Sequence, residues 1–400
     1  MRLLLLTAET CPTFRADVAV LFGKYLPRYG VNSDIVAGRT PGHTGSVEWV
    51  GGECLLCDIS GGQAWKYCKI LLHGVRILLH ADRRCYDAVQ VRDMPVLAVF
   101  GLLAAKVKGL PFFYWMSFPM PEEQILRARE RGLSAGWMKF LFPWVQGRLG
   151  RFLLYRVVLP RADHVFVQSE RMQRDMMARG IAREKMTPVP MGVDMEAIEA
   201  TEIRPSDDPR LAGRQVIVYL GTLDRARRIE HLFTMLALVR RMKPDALLVL
   251  VGDTADAHHR RWLEAQATAA GVAEHVLWTD WLPMHEGWRY VRSAEVGLSP
   301  FPRGFLLDSA SPTKVQEYLA LGIPVVCNDN PDQQAVIEAT GAGRCVAYTA
   351  REFAEAVVDI LNLEAAYRQA SARRGKSYIR ENRTYERIAQ DLATAYLRQI

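Results

Sequence analysis

The chain has 400 residues, 50% of them hydrophobic and 24% charged, which is typical of a soluble globular protein and excludes a disordered one. A single hydrophobic core stops growing at about 250–300 residues, so we expect two domains. The net charge of +7 favours anionic partners such as nucleotide phosphates or anionic lipid. We expect no nucleic-acid partner, because no base-reading motif is present.

Cysteine usage and hydrophobicity indicate the compartment. Seven cysteines are an odd number in a long chain, which argues against a disulfide framework. Cys54 and Cys57 form a CxxC pair, but no second pair stands at zinc-site spacing, so core thiols are favoured over a metal site. The apolar run at 3–6 is too short for a signal peptide, and no run reaches the ~20 residues that span a bilayer. We therefore expect a cytoplasmic protein.

Strands and helices alternate along the first half. Short apolar runs predict strands at 3–7, 33–36, 53–57, 88–91, 112–116 and 164–168. Helical periodicity predicts helices at 15–29, 63–79, 95–107 and 170–177, the last capped by Ser169. This alternation is typical of a parallel sheet that is covered on both faces.

Residues 133–158 interrupt this alternation. The segment is helical in character and sets aromatic residues and leucines opposite basic residues. They are Trp137, Phe140, Leu141, Phe142, Trp144, Val145, Leu149, Phe152 and Leu153, with Lys139, Arg148, Arg151 and Arg156. One interpretation is a helix lying in a membrane interface. The other is a helix packed on the first domain with its arginines at the rim.

A second alternating series follows an exit at 189–194 and a polar stretch at 202–213 that we interpret as a linker. Strands are predicted at 216–220, 246–251, 276–278, 296–299 and 323–327. Helices are predicted at 229–242, 260–270, 285–293, 352–367 and 385–397. The chain thus repeats a whole α/β domain.

The stretch from Asp308 to Asn328 carries the clearest chemical signal. Ser311 as N-cap and Pro312 as first helical residue predict a helix that ends at Gly322. The free N–H groups of a helix start attract anions. Lys314 in the first turn opposes the helix dipole, so it suits a site where an anion binds, with Glu317 one turn later. The alternative is a surface helix with an ordinary Lys–Glu pair.

Other candidates follow strands of the second series, where ligands bind in open α/β sheets. One glycine-containing loop holds three arginines that suit phosphate, unless it is only a solvated turn. A Gly-Asp pair ends the next strand, and an aromatic loop at 278–283 suits a planar base, unless it is only packed. The residues are Gly221, Arg225, Arg227, Arg228, Asp253, Trp281 and Leu282.

The order of these loops, ending in Pro-x-Lys-x-x-Glu-Tyr-Leu-Ala-x-Gly-x-Pro-Val-Val from Pro312, resembles the donor half of retaining glycosyltransferases of family 4 over 216–346. The resemblance implies the GT-B fold: two Rossmann-like parallel-sheet domains facing a central cleft, with a C-terminal helix crossing back. The domains would be 1–200, completed by 378–400, and 201–377. It also implies transfer from a nucleotide-diphosphate sugar, with retention and without a metal or cofactor.

The resemblance also implies roles for individual residues. Glu317 matches the acid that contacts the donor ribose, and Lys314 with the Thr313 backbone N–H would hold the diphosphate. Arg228, Arg227 or Arg225 takes the place of the basic diphosphate ligand. Ser309 stands where the family often has a second glutamate, and Thr222 where an arginine is common. Some branches carry a serine before Pro-x-Lys, which Ser309 or Ser311 resembles.

The first half departs further from the family. Residues 10–15 replace its Gly-Gly loop, and Ser117 follows the strand at 112–116 where a histidine or aspartate is common; Glu122 and Glu123 are nearby polar candidates. The implied catalytic set is Lys314, Glu317, Arg228 and Ser117.

Basic charge and the 133–158 segment favour a lipid-linked or polysaccharide acceptor at the cytoplasmic face of a bacterial inner membrane. Two alternatives remain open. One is a nucleotide-sugar epimerase of the same fold, which needs carboxylates and histidines around the sugar. His258, His259, His275 and His285 lie in the second half, but not at strand ends that face the loops above. The other is a non-catalytic partner of a transferase.

Overall fold

A computed structural model describes residues 1–42, 45–132, 136–200 and 202–400. The chain divides into two compact units. The first comprises Met1–Met191 and Tyr385–Ile400, and the second comprises Gly192–Thr384. Each unit has its own parallel sheet and its own hydrophobic clusters.

In the first unit, the described residues form a seven-stranded parallel sheet in the order β3-β2-β1-β4-β5-β6-β7. The strands are β1 (Arg2–Cys11), β2 (Asn32–Arg39), β3 (Cys54–Asp58), β4 (Ala88–Arg92), β5 (Phe112–Met116), β6 (His164–Val167) and β7 (Met186–Pro188). The central strands β4 and β5 are buried along their whole length, as expected where helices cover both faces of a sheet. The predicted strands are confirmed.

The helices of this unit include two π-helical segments. The α-helices are α1 (Gln63–His80), α2 (Pro95–Lys108), α3 (Met120–Arg131), α4 (Trp137–Phe152), α5 (Leu159–Arg161) and α6 (Glu170–Met177). The π-helices are Asp17–Tyr25 and Leu153–Val158, and short 3₁₀ helices are Leu26–Tyr29 and Arg183–Lys185. Ser169 caps α6 as predicted, since its hydroxyl accepts a bond from the Met172 N–H at 3.0 Å.

One predicted helix, 15–29, is instead a π-helix followed by a 3₁₀ turn. Pro27 lacks the N–H that a continuous helix would need, and the turn ends at Gly30, whose φ is 76°. The 133–158 segment is helical where it is described. Residues 133–135, and the side chains of Trp137 and Lys139, lie outside the described residues.

The described part of the second unit forms a six-stranded parallel sheet in the order β10-β9-β8-β11-β12-β13. Its strands are β8 (Gln215–Leu220), β9 (Ala246–Val251), β10 (Val276–Trp278), β11 (Val296–Ser299), β12 (Val325–Asn328) and β13 (Gly343–Val346). Its α-helices are α7 (Met195–Glu199), α8 (His231–Arg240), α9 (Ala257–Ala269), α10 (Met284–Arg292), α11 (Phe305–Asp308), α12 (Thr313–Ala320), α13 (Pro331–Thr340), α14 (Ala350–Asn362) and α15 (Ala365–Asn382). Short 3₁₀ helices are Pro209–Leu211, Arg225–Arg227 and Ala273–His275.

Three sequence predictions for this unit need correction. The predicted linker 202–213 belongs to the unit, because the Ser206 N–H donates to the Ser293 hydroxyl at 2.8 Å and Tyr290 donates to Asp208 at 2.9 Å. The helix predicted at 352–367 is two helices, α14 and α15, separated by extended backbone at Leu363 and Glu364. The N-cap of α12 is Pro312, not Ser311, which lies one residue earlier.

The last helix, α16 (Tyr385–Leu397), packs on the first unit, as the fold prediction required. The Tyr396 ring lies 4.5 Å from that of Phe166 and 5.6 Å from that of Phe113. Its hydroxyl donates to the Gln90 side chain at 2.6 Å. The end of the chain thereby completes the core that covers one face of the first sheet. Among the described residues, no helix combines the length and hydropathy that a bilayer crossing requires.

We expect substitutions at Tyr396 to lower the free energy of unfolding by an amount that depends on how much of the side chain they remove. Tyr396→Ala removes a fully buried ring and leaves Gln90 without its donor, so it should cost about 3–5 kcal/mol. Tyr396→Phe keeps the ring and loses only the hydrogen bond to Gln90, so it should cost less, about 1–3 kcal/mol. Urea unfolding of both variants measures the difference. Equal losses in the two variants would show that the ring is not part of the core.

Candidate functional site

The amino end of α12 is held at the carboxyl ends of two strands by one buried tyrosine. The Tyr318 hydroxyl accepts a bond from the Leu220 N–H of β8 at 2.7 Å and donates to the Leu298 carbonyl of β11 at 3.1 Å. A Cβ at Gly297 would stand 2.6 Å from the Tyr318 ring, so the ring needs a glycine on the neighbouring strand. The helix start is therefore fixed where parallel sheets bind ligands.

Lys314, in the first turn of α12, reaches towards the end of β8. Its Nζ lies 5.2 Å from the centroid of the Tyr219 ring. A Cβ at Gly221 would lie 3.1 Å from that same Nζ, and Gly221 has a φ of 134°, so both space and backbone favour glycine there. The glycine after β8 thus leaves room for the lysine head group.

The electrostatic surroundings of Lys314 disfavour its charge. Desolvation, helped by the nearby positive charge of Arg227 and opposed by Glu317, lowers the pKa of Lys314 to about 7. Burial also raises the pKa of Glu317, although the Thr313 hydroxyl and the lysine oppose that change. A bound anion would restore the ordinary charge of the lysine.

The geometry distinguishes among the three arginines after β8. The Arg227 guanidinium carbon lies 4.2 Å from the centroid of the Phe301 ring, and its charge acts on both Lys314 and Tyr219. Arg225 forms an ion pair with Asp256 at 3.2 Å. Arg228 is exposed, and its Nε is 3.9 Å from Glu230. Arg227 is therefore the arginine that lies beside Lys314.

The remaining donor-side candidates lie on the surrounding loops. Thr222 is exposed, and its carbonyl accepts a bond from the Tyr219 hydroxyl at 3.2 Å. Asp253 binds Arg260 at 2.8 Å. The Trp281 side chain is 58% exposed, whereas Leu282 is half-buried against the core. The exposed indole leaves an aromatic face available at the end of β10.

The hydroxyls of the two serines before α12 donate hydrogen bonds to other residues of the protein. The buried Ser309 hydroxyl donates to the Phe305 carbonyl at 3.1 Å. Ser311 donates to Asp332 at 2.7 Å, and Asp332 also binds Arg383 at 2.8 Å. Both hydroxyls hold the loop that leads into α12.

The first unit has a charged cluster at its own strand ends, and Ser117 is the one member that the sequence predicted. Ser117 donates its N–H to Asp93 at 2.9 Å and its hydroxyl to the same carboxylate. Arg92 binds Asp17 and Glu9, both at 2.9 Å. Asp93 has a φ of 56°, which is unusual for a residue with a side chain. Asp93 could have been found from the sequence as part of an Arg-Asp pair that directly follows a buried apolar strand.

The environment of Asp93 is that of a desolvated acid. Burial raises its pKa, while the charge of Arg92 and the two bonds from Ser117 oppose the rise. Burial also raises the pKa of Glu122, which pairs with Arg179 at 3.2 Å, whereas Glu123 pairs with Arg127. In the part of the chain that the structure describes, no cluster of His, Cys, Asp and Glu is placed to hold a metal ion.

Family models match both halves of the chain. The model of glycosyl transferases group 1 matches residues 203–378, and the glycosyl transferase 4-like domain matches residues 17–192. A Bacillus subtilis (strain 168) protein, TuaH, that carries the name of a teichuronic acid biosynthesis glycosyltransferase is 27% identical over 176 residues. That match covers 44% of this chain and 42% of the relative, less than half the length of either.

Solved structures show the same fold at low identity. Sucrose-phosphate synthase from Thermosynechococcus elongatus has a TM-score of 0.73 at 17% identity, covering 100% of this chain and 98% of that one. HepE from Anabaena, in complex with UDP, has a TM-score of 0.66 at 14% identity, with 100% of both chains covered. A trehalose-phosphate synthase from Burkholderia vietnamiensis has a TM-score of 0.71 at 14% identity, again over 100% of both chains.

The two family models lie one after the other on the two parallel-sheet units. The Lys314 helix lies within the group 1 segment, and Arg92, Asp93 and Ser117 lie within the 4-like segment. The chain belongs to the glycosyltransferases of the GT-B fold, in the family 4-like group.

Proposed function

We propose that this chain transfers a sugar from a nucleotide-diphosphate sugar to an acceptor hydroxyl, with retention of anomeric configuration and without a metal ion. The observation that carries the proposal is the pair of cationic side chains, Lys314 and Arg227, beside the amino end of α12. Helix N–H groups and two cations form a site for a diphosphate.

The physical task in such a transfer is to stabilise the leaving group. As the bond from sugar to phosphate breaks, negative charge grows on the diphosphate. A preorganised lysine, arginine and helix terminus stabilise this charge without rearranging. Since the Lys314 pKa is about 7 in the free protein, an arriving diphosphate would also draw a proton onto the lysine. Cationic side chains and Mg²⁺ stabilise charge on phosphoryl groups in the same way, so these two cations support the metal-free form of the proposal.

The other donor contacts follow from the same placement. Glu317 lies one turn behind Lys314, where its carboxylate can accept hydrogen bonds from ribose hydroxyls. Trp281 presents an exposed ring on which a base can stack. The HepE structures are described in complex with UDP and with UDP-glucose, which supports UDP as the first nucleotide to test.

The acceptor is best sought on the first unit. Asp93 and Ser117 join the carboxyl ends of neighbouring strands β4 and β5, where a ligand hydroxyl can bond to the buried carboxylate. We infer a lipid-linked or polysaccharide acceptor, in bacterial cell-surface polysaccharide synthesis. The name of TuaH supports that pathway. The cysteines, all free in the structure, fit a reducing cytoplasm.

The same fold also fits an epimerase, which would need acid–base groups around the sugar. His258 lies on α9 beside Arg261, and His285 lies on α10 beside Glu286. Product analysis by NMR separates the possibilities. A transferase forms a new glycoside only with acceptor present, an epimerase inverts a carbon of the nucleotide sugar alone, and a non-catalytic partner does neither.

Neutral substitutions of the two cations should weaken nucleotide binding. Each of Lys314→Met and Arg227→Met removes one charged contact, which corresponds to about a 10–100-fold loss of affinity. Calorimetric titration with UDP, or with GDP or ADP if either binds wild type more tightly, measures the change. Arg228→Met is the matched control and should stay within about threefold, because an exposed ion pair contributes little. Equal losses at Arg227 and Arg228 would contradict the assignment.

Replacement of the Asp93 carboxylate should affect turnover rather than donor binding. Asp93→Asn keeps the shape but removes the charge that orders Ser117, so kcat for transfer should fall about 100-fold or more. UDP affinity should remain unchanged. Glu123→Gln, at a carboxylate paired on the surface of α3, is the control. If Asp93→Asn keeps full turnover while folding normally, the acceptor does not bind there.

A further inference from the structure

Helices α1 and α2 pack on one face of the first sheet, and α4 packs beside α2. α1 packs on α2 at Gly74, where a Cβ would come within 2.9 Å of the Leu97 side chain. α2 packs on α4 near Gly150, whose Cβ position is 3.9 Å from Pro95. The inward residues of α1 and α2 join one hydrophobic cluster against the sheet, and the π-helix Leu153–Val158 that continues α4 adds Leu154, Tyr155 and Val158 to it. Their opposite sides therefore share one outer surface.

That outer surface is apolar to an extent that globular proteins rarely leave uncovered. Several of its apolar side chains are more than half exposed, and Val107 is 86% exposed. The exposed apolar residues are Trp65, Leu72 and Leu79 of α1, Phe100, Leu103 and Val107 of α2, and Leu141, Phe142, Val145, Leu149 and Phe152 of α4. We call this set, with its basic neighbours, the three-helix surface.

The charged residues of the three helices, and of the π-helix that continues α4, have one sign. The sequences of α1, α2, α4 and the π-helix Leu153–Val158 contain lysines and arginines but no aspartate or glutamate. Exposed examples are Arg76, Lys106, Arg148, Arg151 and Arg156. Aromatic and leucine side chains with flanking cations and no anions are typical of helices that lie in a membrane interface.

We propose that the three-helix surface docks this protein onto an anionic lipid bilayer. The proposal extends the predicted 133–158 segment to two further helices, and it rests on the proposed function only in that the bilayer would present the lipid-linked acceptor. The apolar side chains enter the boundary between headgroups and acyl chains, while the cations meet anionic headgroups. A second copy of the chain is a poorer occupant, because two such surfaces would bring like charges together.

Vesicle flotation tests the proposal on the full chain. Wild type should float with vesicles of phosphatidylcholine and phosphatidylglycerol, less with phosphatidylcholine alone, and progressively less as salt rises. Leu72→Glu/Leu103→Glu/Leu149→Glu places one carboxylate on each helix and should lower the bound fraction at least about tenfold. Arg148→Glu/Arg151→Glu should abolish the preference for anionic vesicles.

The matched control is Arg241→Glu/Met242→Glu, which makes the same kind of change at exposed residues of the second unit and should float like wild type. Unchanged UDP affinity in the surface variants shows that they are folded and separates this proposal from the proposed function. Equal flotation of wild type and the triple variant, or none with anionic vesicles, overturns the proposal. So does a dimer in sedimentation that the triple variant dissociates.

Discussion

The second unit depends on the hydrogen bonds of a single buried tyrosine. Tyr318 binds the backbone of β8 and of β11, and so fixes the amino end of α12 against the carboxyl edge of the sheet. Everything proposed for donor binding follows from this position, because it sets Lys314 between Gly221 and the Tyr219 ring. In this position burial lowers the pKa of Lys314, so its charged form is disfavoured until an anion binds.

The first unit also holds buried charged side chains at the ends of its strands, but most of them are acidic. The buried Arg92 forms ion pairs with Glu9 and Asp17 at the carboxyl ends of the strands, and it lies 3.4 Å from Asp93. The cluster keeps a carboxylate beside Ser117 at the ends of β4 and β5. Each unit thus presents desolvated charge at its strand ends, cationic on the second unit and predominantly anionic on the first. The cationic end suits a departing diphosphate, and the carboxylate suits a hydroxyl acceptor.

Much of the fold was predictable because parallel strands are short apolar runs and helices carry a clear periodicity. Strand β13 and helix α13 were missed because Gly343–Val346 is brief and half exposed, and the pattern of Pro331–Thr340 is weakly amphipathic. Pro312 replaced Ser311 as the N-cap because Ser311 binds Asp332, a partner 21 residues away that local sequence does not reveal. Lys314 and Glu317 were proposed from their spacing, and both lie on α12 in the structure. The sequence could not select Arg227 over Arg225 and Arg228, because the contact with Phe301 is visible only in the structure. It also could not select Asp93, because its place beside Ser117 depends on the pairing of β4 with β5.

The account is tested most directly by the protonation of Lys314 itself. Lysine side chains labelled for NMR, with Lys314→Met to assign the signal, give its pKa with and without UDP. We expect a pKa near 7 in the free protein, well below the ordinary 10.5, and a shift towards the ordinary value when UDP binds. Since the folded pKa is depressed, nucleotide binding should take up protons when the pH lies above 7. A lysine that titrates at its ordinary value in both states, with no response to UDP, would contradict the account.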